Sequence, residues 1–137
     1  MGRILAIDLG TKRTGIAVTD TLNILANPLI TIETSKIVEF LNGYFAKEEV
    51  DTIVLGYPIR LDGTANEMTP RVINLKGRLS KLYPKKNIVL VDERFTSKMA
   101  MQSMIAMGSK KKDRKEKAGN LDKVSAAIIL QSYLEQL

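Results

Sequence analysis

Four carboxylates stand at the ends of predicted secondary-structure elements, and they are the residues of this sequence best placed to do chemistry. Asp8 follows one short apolar run, Asp92 and Glu93 follow another, and Asp122 lies near the start of the last helical pattern. The chain contains no histidine and no cysteine, which excludes imidazole-based triads and thiolate metal sites. Carboxylates alone are hard oxygen ligands, so they predict Mg²⁺ or Mn²⁺ rather than zinc or copper.

These acids can form one site only if the fold brings the strand ends and the last helix together. Ser125 and Ala126 lie one turn after Asp122 and are small, which favours a close approach of that helix to a sheet. Paired divalent ions about 4 Å apart could then activate water and stabilise the leaving oxygen of phosphodiester cleavage. Each acid also has a structural interpretation, as a turn residue or as a carboxylate near a helix N-terminus. Because side chains alternate along a strand, Asp92 and Glu93 are not both expected to face the same site.

Two segments are candidates for contact with phosphate groups. Residues 10–15, Gly-Thr-Lys-Arg-Thr-Gly, fit either a backbone cradle for phosphate or an ordinary hairpin turn, and they lack the spacing of a P-loop. Residues 110–117 hold six basic and two acidic side chains in a chain whose net charge is +6. Such a run is typical of either a nucleic-acid patch or a solvated loop.

The elements that must position these residues predict one α/β domain over residues 1–137. Three strands followed by alternating helices and strands favour a mixed sheet, antiparallel at one edge and parallel beyond it. In such sheets ligands collect outside the carboxyl ends of the strands. No segment resembles a signal peptide or a membrane span, so a cytoplasmic location without membrane partners is expected. Hydrophobic periodicity predicts strands at about 4–9, 15–20, 22–33, 52–56 and 87–91, and helices at about 35–49, 67–82, 96–107 and 121–136. The density of like charges predicts a mobile basic loop at about 109–120.

Four motifs together resemble the YqgF/RuvX family of Holliday junction resolvase-like nucleases. They are residues 7–17 (Ile-Asp-Leu-Gly-Thr-Lys-Arg-Thr-Gly-Ile-Ala), 56–64 (Gly-Tyr-Pro-Ile-Arg-Leu-Asp-Gly-Thr), 92–97 (Asp-Glu-Arg-Phe-Thr-Ser) and the basic loop and final helix of 112–134. The motifs follow the family's order and cover nearly the whole chain. One departure is Arg60, which stands where the family often has asparagine.

The resemblance implies a ribonuclease H-like fold, with a five-stranded mixed sheet and helices on both faces. It also implies a metal-dependent nuclease that acts on structured nucleic acid. The substrate would be the 5′ end of precursor 16S ribosomal RNA, free or within a pre-ribosomal particle, or a four-way DNA junction. Asp8, Glu93 and Asp122 fall where the family's catalytic acids lie, and they would hold Mg²⁺ or Mn²⁺. Glu93 is preferred to Asp92 because related resolvases have a glutamate at that position.

The remaining candidate residues follow from the same resemblance and from the charge pattern. The supporting candidates near the acids are Asp62, Asp92 and Thr96. The basic side chains expected to contact nucleic acid are Lys12, Arg13, Arg94, Lys110, Lys111, Lys112, Arg114, Lys115 and Lys117.

Two other functions are compatible with the sequence. A non-catalytic RNA-binding or ribosome-assembly factor on the same fold would use the basic residues without the acids, since a fold does not determine a function. The run Ile-Asp-Leu-Gly-Thr also resembles the phosphate-binding opening of sugar kinases and actin-like ATPases, but those proteins need two such domains. A monomer and a two-fold homodimer are both compatible with the sequence.

Overall fold

The computed structural model describes residues 2–58, 63–92 and 114–137. No helix in these ranges is long and apolar enough to cross a membrane. A short 3₁₀ helix, Thr34–Lys36, leads into the first α-helix. In chain order, the strands and α-helices are β1 Arg3–Asp8, β2 Arg13–Thr19, β3 Ala26–Glu33, α1 Ile37–Lys47, β4 Val50–Tyr57, α2 Thr69–Leu82, β5 Asn87–Asp92 and α3 Arg114–Glu135.

The five strands form one mixed sheet in the order β3-β2-β1-β4-β5. β1 pairs antiparallel with β2, and β2 pairs antiparallel with β3, whereas β1–β4 and β4–β5 are parallel. The predicted mixed sheet is therefore confirmed. Pro28 lies in β3 at the sheet edge, where the missing N–H of proline costs no central ladder bond.

Helices cover both faces of the sheet, as expected. Leu5 and Ile7 of β1 pack in a core cluster with apolar residues of α1 and α2, and we call this side the α1/α2 face. Ile4 and Ala6 pack in a second cluster with apolar residues of α3, and we call that side the α3 face. Because side chains alternate along a strand, Asp8 belongs to the α3 face, together with Ile4 and Ala6.

The third strand begins later than predicted, at Ala26 rather than at residue 22. The intervening residues form a turn around Asp20, whose carboxylate accepts hydrogen bonds from the N–H groups of Leu25 and Ile24 at 2.8 Å each. These bonds hold the pKa of Asp20 below its ordinary value, because they favour the ionised carboxylate.

The last helix begins earlier than predicted, at Arg114 rather than at residue 121. Residues 114–120 are thus helical and not part of a loop. Repulsion between like charges predicts a mobile loop here, but arginine, lysine, glutamate and alanine are good helix formers whether or not they meet a core. Asp122 lies more than two turns after the first residue of α3, so the helix-dipole interpretation of its position is wrong. Residues 109–113 and the helix predicted at 96–107 lie outside the described residues.

Candidate metal and nucleic-acid site

Helix α3 touches the sheet at Gly15. A Cβ atom at this position would lie 1.9 Å from the carbonyl oxygen of Asp122 and 2.8 Å from the amide nitrogen of Lys123. Only glycine leaves room for a helix backbone this close. Gly15 is also the β2 partner of Asp8, and paired residues of adjacent antiparallel strands share one face. The Asp122 turn of α3 therefore lies over the Asp8–Gly15 pair.

Small buried side chains on α3 continue this close approach. Ser125 and Ala126 are buried against the sheet, and Ile129 follows them one turn later in the same core. The close approach that the sequence predicted for this helix is confirmed. It carries Asp122 to the carboxyl end of β1, where Asp8 is half-buried.

Arg13 forms an ion pair with Asp122 across 109 positions of sequence. Its Nε atom donates a hydrogen bond of 3.0 Å to Oδ2 of the carboxylate. The two side chains are 55% and 27% exposed, so solvent screens the pair and its contribution to stability is below about 1 kcal/mol. The pair mainly orients the Asp122 carboxylate and places a cation beside it.

The turn between β1 and β2 has a defined shape, held by hydroxyl groups. The Thr34 hydroxyl donates to the carbonyl oxygen of Gly10 at 2.7 Å, and the Thr34 N–H donates to that of Lys12 at 2.9 Å. Since the Thr34 proton is used in this way, the Thr14 hydroxyl donates to the Thr34 oxygen at 2.8 Å. Thr34 begins the 3₁₀ helix, but no side chain caps that helix or α1. Thr34 instead fixes the turn.

A cleft of about 380 Å³ opens where this turn meets α3. It is polar and carries the two cations of the turn next to the Asp122 carboxylate. Asp8 directly precedes the turn, two positions before Gly10. The cleft is lined by Gly10, Thr11, Lys12, Arg13 and Asp122.

Asp92 does not join this group. It ends β5 opposite Tyr57 and is exposed. Val91 packs in the α3-face cluster, whereas Leu90 packs in the α1/α2-face cluster, so strand alternation assigns Asp92 to the α1/α2 face.

The other predicted site residues belong either to the first turns of α3 or to segments outside the described residues. The backbone of Arg114, Lys115 and Lys117 forms the first turns of α3. The candidates that lie outside the described residues are Asp62, Glu93, Arg94, Thr96, Lys110, Lys111 and Lys112.

The chemistry of the donors fits a hard divalent cation. Within the described ranges no cluster of three or more acidic, histidine or cysteine residues could hold a metal. Asp8 and Asp122 supply two carboxylates on one face of the sheet. Mg²⁺ is commonly held by one or two carboxylates, with water and substrate phosphates completing its shell. Two carboxylates near a basic turn are therefore donors of the type used by an ion that binds together with a phosphate group.

A family model and full-length relatives both match almost the whole chain. The family described as "RuvX: Holliday junction resolvase" matches residues 2–136. A protein of Flavobacterium johnsoniae is 46% identical over 134 residues, which are 98% of this chain and 96% of that protein. A protein of Bacteroides thetaiotaomicron is 47% identical over 135 residues, which are 98% of this chain and 97% of that protein. Both carry the name "Putative pre-16S rRNA nuclease".

Among solved structures, YeaZ from Pseudomonas aeruginosa aligns with a TM-score of 0.47 and 16% identity, over 80% of this chain and 50% of that chain. This likeness is too low to add to the sequence comparisons.

Proposed function

Because the chain belongs to the RuvX Holliday junction resolvase family, we propose that it is a metal-dependent nuclease that hydrolyses phosphodiester bonds in structured RNA. The proposed substrate is the 5′ end of precursor 16S ribosomal RNA, free or within a pre-ribosomal particle in the cytoplasm, in line with the names of the relatives. The observation that carries the proposal is the close approach of the Asp122 backbone to Gly15, which brings this turn of α3 over the pair formed by Gly15 and Asp8.

The residues of this site divide the work between holding an ion and holding the substrate. Asp8 and Asp122 would bind Mg²⁺ or Mn²⁺. Such an ion, when bound, lowers the pKa of water and offsets the charge of the phosphate. Lys12 and Arg13 would contact phosphates that flank the scissile bond, because their cations line the same cleft as Asp122. With no histidine in the chain, these carboxylates and cations are the groups that the site can use.

We also propose that Glu93 supplies a third carboxylate. Asp92, which ends β5, lies on the α1/α2 face and not on the face of Asp8, so Asp92 is not the candidate. The resemblance to the family likewise gives Glu93 as the acid at this point of the chain. Thr96 and Asp62 remain candidates for supporting roles.

The basic residues beyond the turn are proposed to bind the phosphate backbone. For the triple variant Lys110→Gln, Lys111→Gln and Lys112→Gln we expect weaker RNA binding across all sequences. The slope of log affinity against log salt should become shallower by about one for each phosphate that is no longer neutralised. Titrations of a labelled RNA at several salt concentrations measure both quantities, and an unchanged slope would show that these lysines do not bind phosphate. Arg94, Arg114, Lys115 and Lys117 can be tested in the same way.

Arg13→Gln tests the turn itself. We expect RNA affinity to fall and its salt slope to become shallower by about one, because one cation leaves the cleft. The free energy of unfolding should change by less than about 1 kcal/mol, since the ion pair with Asp122 is half exposed. Arg3→Gln is the matched control, because Arg3 pairs with Glu48 at the opposite end of β1. Equal losses of affinity in both variants would contradict a specific role for Arg13.

A four-way DNA junction is the second candidate substrate, because the family description names it. The deciding experiment incubates the protein with Mg²⁺ or Mn²⁺ and either precursor 16S RNA or a synthetic junction. We expect cleavage of the RNA at a defined position near its 5′ end. Cleavage of the junction but not of the RNA would show that the substrate is a four-way DNA junction. Tight RNA binding without cleavage of either substrate would favour the non-catalytic assembly factor.

A further inference from the structure

A second cleft, of about 280 Å³, lies beside the first one but on the other face of the sheet. Gly10 lines both clefts, so they adjoin at the carboxyl end of β1. Leu9, Ile37 and Leu75, which line this second cleft, also belong to the core of the α1/α2 face or pack against it. Its polar side chains come from the 3₁₀ helix and from one side of α2.

Two arginines of α2 give this cleft a positive charge. Arg71 and Arg78 are exposed, and Asn74 lies between them on the same side of the helix. The ion pairs found within the described part of the chain are Arg3–Glu48 and Arg13–Asp122, and neither involves these arginines. A cleft that holds two cations unpaired by any described acid is electrostatically suited to an anion.

The spacing of the arginines favours a polyanion over a single phosphate ion. Arg71 and Arg78 are seven positions apart in α2, which separates them by about 10 Å along the helix axis. A strand of duplex DNA carries one phosphate for about every 3.4 Å of helix axis, and the spacing along an RNA strand is of the same order. The two cations are therefore spaced for contacts along a length of backbone, whereas a single phosphate ion would contact both only if the two side chains converged on it. Ser35 and Asn74 add neutral hydrogen-bonding groups along the same wall.

We propose that this second cleft binds the phosphate backbone of the substrate RNA beyond the scissile bond. The strand would pass over Gly10, from the acids of the α3 face to the arginines on the α1/α2 face. Arg71 and Arg78 are then substrate-positioning residues, and they extend the basic surface that Lys12 and Arg13 begin. This inference rests on the proposed function, because it assigns a further part of the path of the same substrate.

The test compares two double variants that each remove two positive charges. Arg71→Gln with Arg78→Gln empties the cleft of cations, whereas Lys81→Gln with Lys85→Gln removes exposed cations that do not line it. The probe is a labelled RNA that spans the 5′ end of 16S RNA and its precursor extension, titrated in EDTA at several salt concentrations. If two duplex phosphates are no longer neutralised, affinity should fall by up to about 60-fold at about 0.1 M salt and the slope should become shallower by almost two.

Lys81→Gln with Lys85→Gln should lower the affinity much less. Arg71→Lys with Arg78→Lys should keep most of the wild-type affinity, because lysine still binds phosphate as a point charge. Melting temperatures confirm that each variant is folded. If wild type binds the probe but Arg71→Gln with Arg78→Gln lowers the affinity no more than Lys81→Gln with Lys85→Gln does, the second cleft is not a binding site and the proposed function stands. If wild type fails to bind the probe at all, the proposed function and this inference both fail.

Discussion

Replacing Asp8 by asparagine is expected to lower the rate of precursor RNA cleavage by about 10³-fold or more. The amide keeps the size of the side chain but removes the charge that would hold a divalent ion, and such an ion contributes several kcal/mol to phosphodiester hydrolysis. The fold should persist, since the apolar residues 4–7 of β1 stay in both core clusters. RNA binding should persist too, because it depends on cations such as Lys12 and Arg13. Single-turnover cleavage, melting temperature and affinity together check these three expectations.

Two neighbouring acids serve as comparisons for Asp8. Glu93→Gln should resemble Asp8→Asn if Glu93 is the third carboxylate of the site. Asp92→Asn should retain most of the activity, because Asp92 lies on the α1/α2 face. If an Asp8→Asn protein cleaves at the wild-type rate, the Asp8 carboxylate takes no part in the reaction and the proposed site is wrong.

Gly15→Ala is expected to destabilise the protein by about 3 kcal/mol or more. Its new Cβ atom would lie 1.9 Å from the carbonyl oxygen of Asp122, and a helix backbone cannot move aside as a flexible side chain can. Overpacking of a core typically costs about 1–3 kcal/mol and sometimes more. Relief of the clash requires α3 to move off the sheet with Asp122, so cleavage should fall as well. Denaturant unfolding monitored by circular dichroism gives the change in free energy.

The same substitution in the other helices provides the control. Gly43 in α1 and Gly77 in α2 have no heavy atom within 4 Å of an added Cβ, beyond their own chain neighbours and helix backbone. Alanine at either position should raise the free energy of unfolding by roughly 0.5–1 kcal/mol, because glycine is the poorer helix former. A Gly15→Ala protein as stable as these two would contradict the close packing of α3 on β2.

Most of the sheet could be predicted from local patterns of apolar residues. The strand that ends at Asp8 and the strand that ends at Asp92 are compact apolar runs, which are typical of buried strands. Pro28 favours an edge position for β3, because proline lacks an N–H for the ladder. The start of α3 could not be predicted in this way, since its first turns are charged and the apolar stripe begins only near Asp122.

The site was only partly predictable because the interactions that build it are long-range. Small residues after Asp122 indicated that α3 approaches the sheet, but the sequence around Gly15 did not indicate that the helix contacts the sheet there. The local pattern places Gly15 where the hairpin turn meets the second strand, although its essential neighbour is a helix more than a hundred residues away. Likewise, the bond from Thr34 to Gly10 and the ion pair from Arg13 to Asp122 depend on strand register, which sequence periodicity does not specify.

The dependence of cleavage on Mg²⁺ concentration, measured for wild type and for Asp122→Asn, tests most directly whether this site is a metal-dependent nuclease centre. We predict no cleavage of precursor 16S RNA in EDTA and recovery of wild-type activity with Mg²⁺ or Mn²⁺. Asp122→Asn should need at least about tenfold more Mg²⁺ for its half-maximal rate, since groups that hold or orient a metal ion commonly contribute about 10–100-fold to its affinity. Full-rate cleavage in EDTA, or identical Mg²⁺ curves for the two proteins, would contradict a metal site at Asp8 and Asp122.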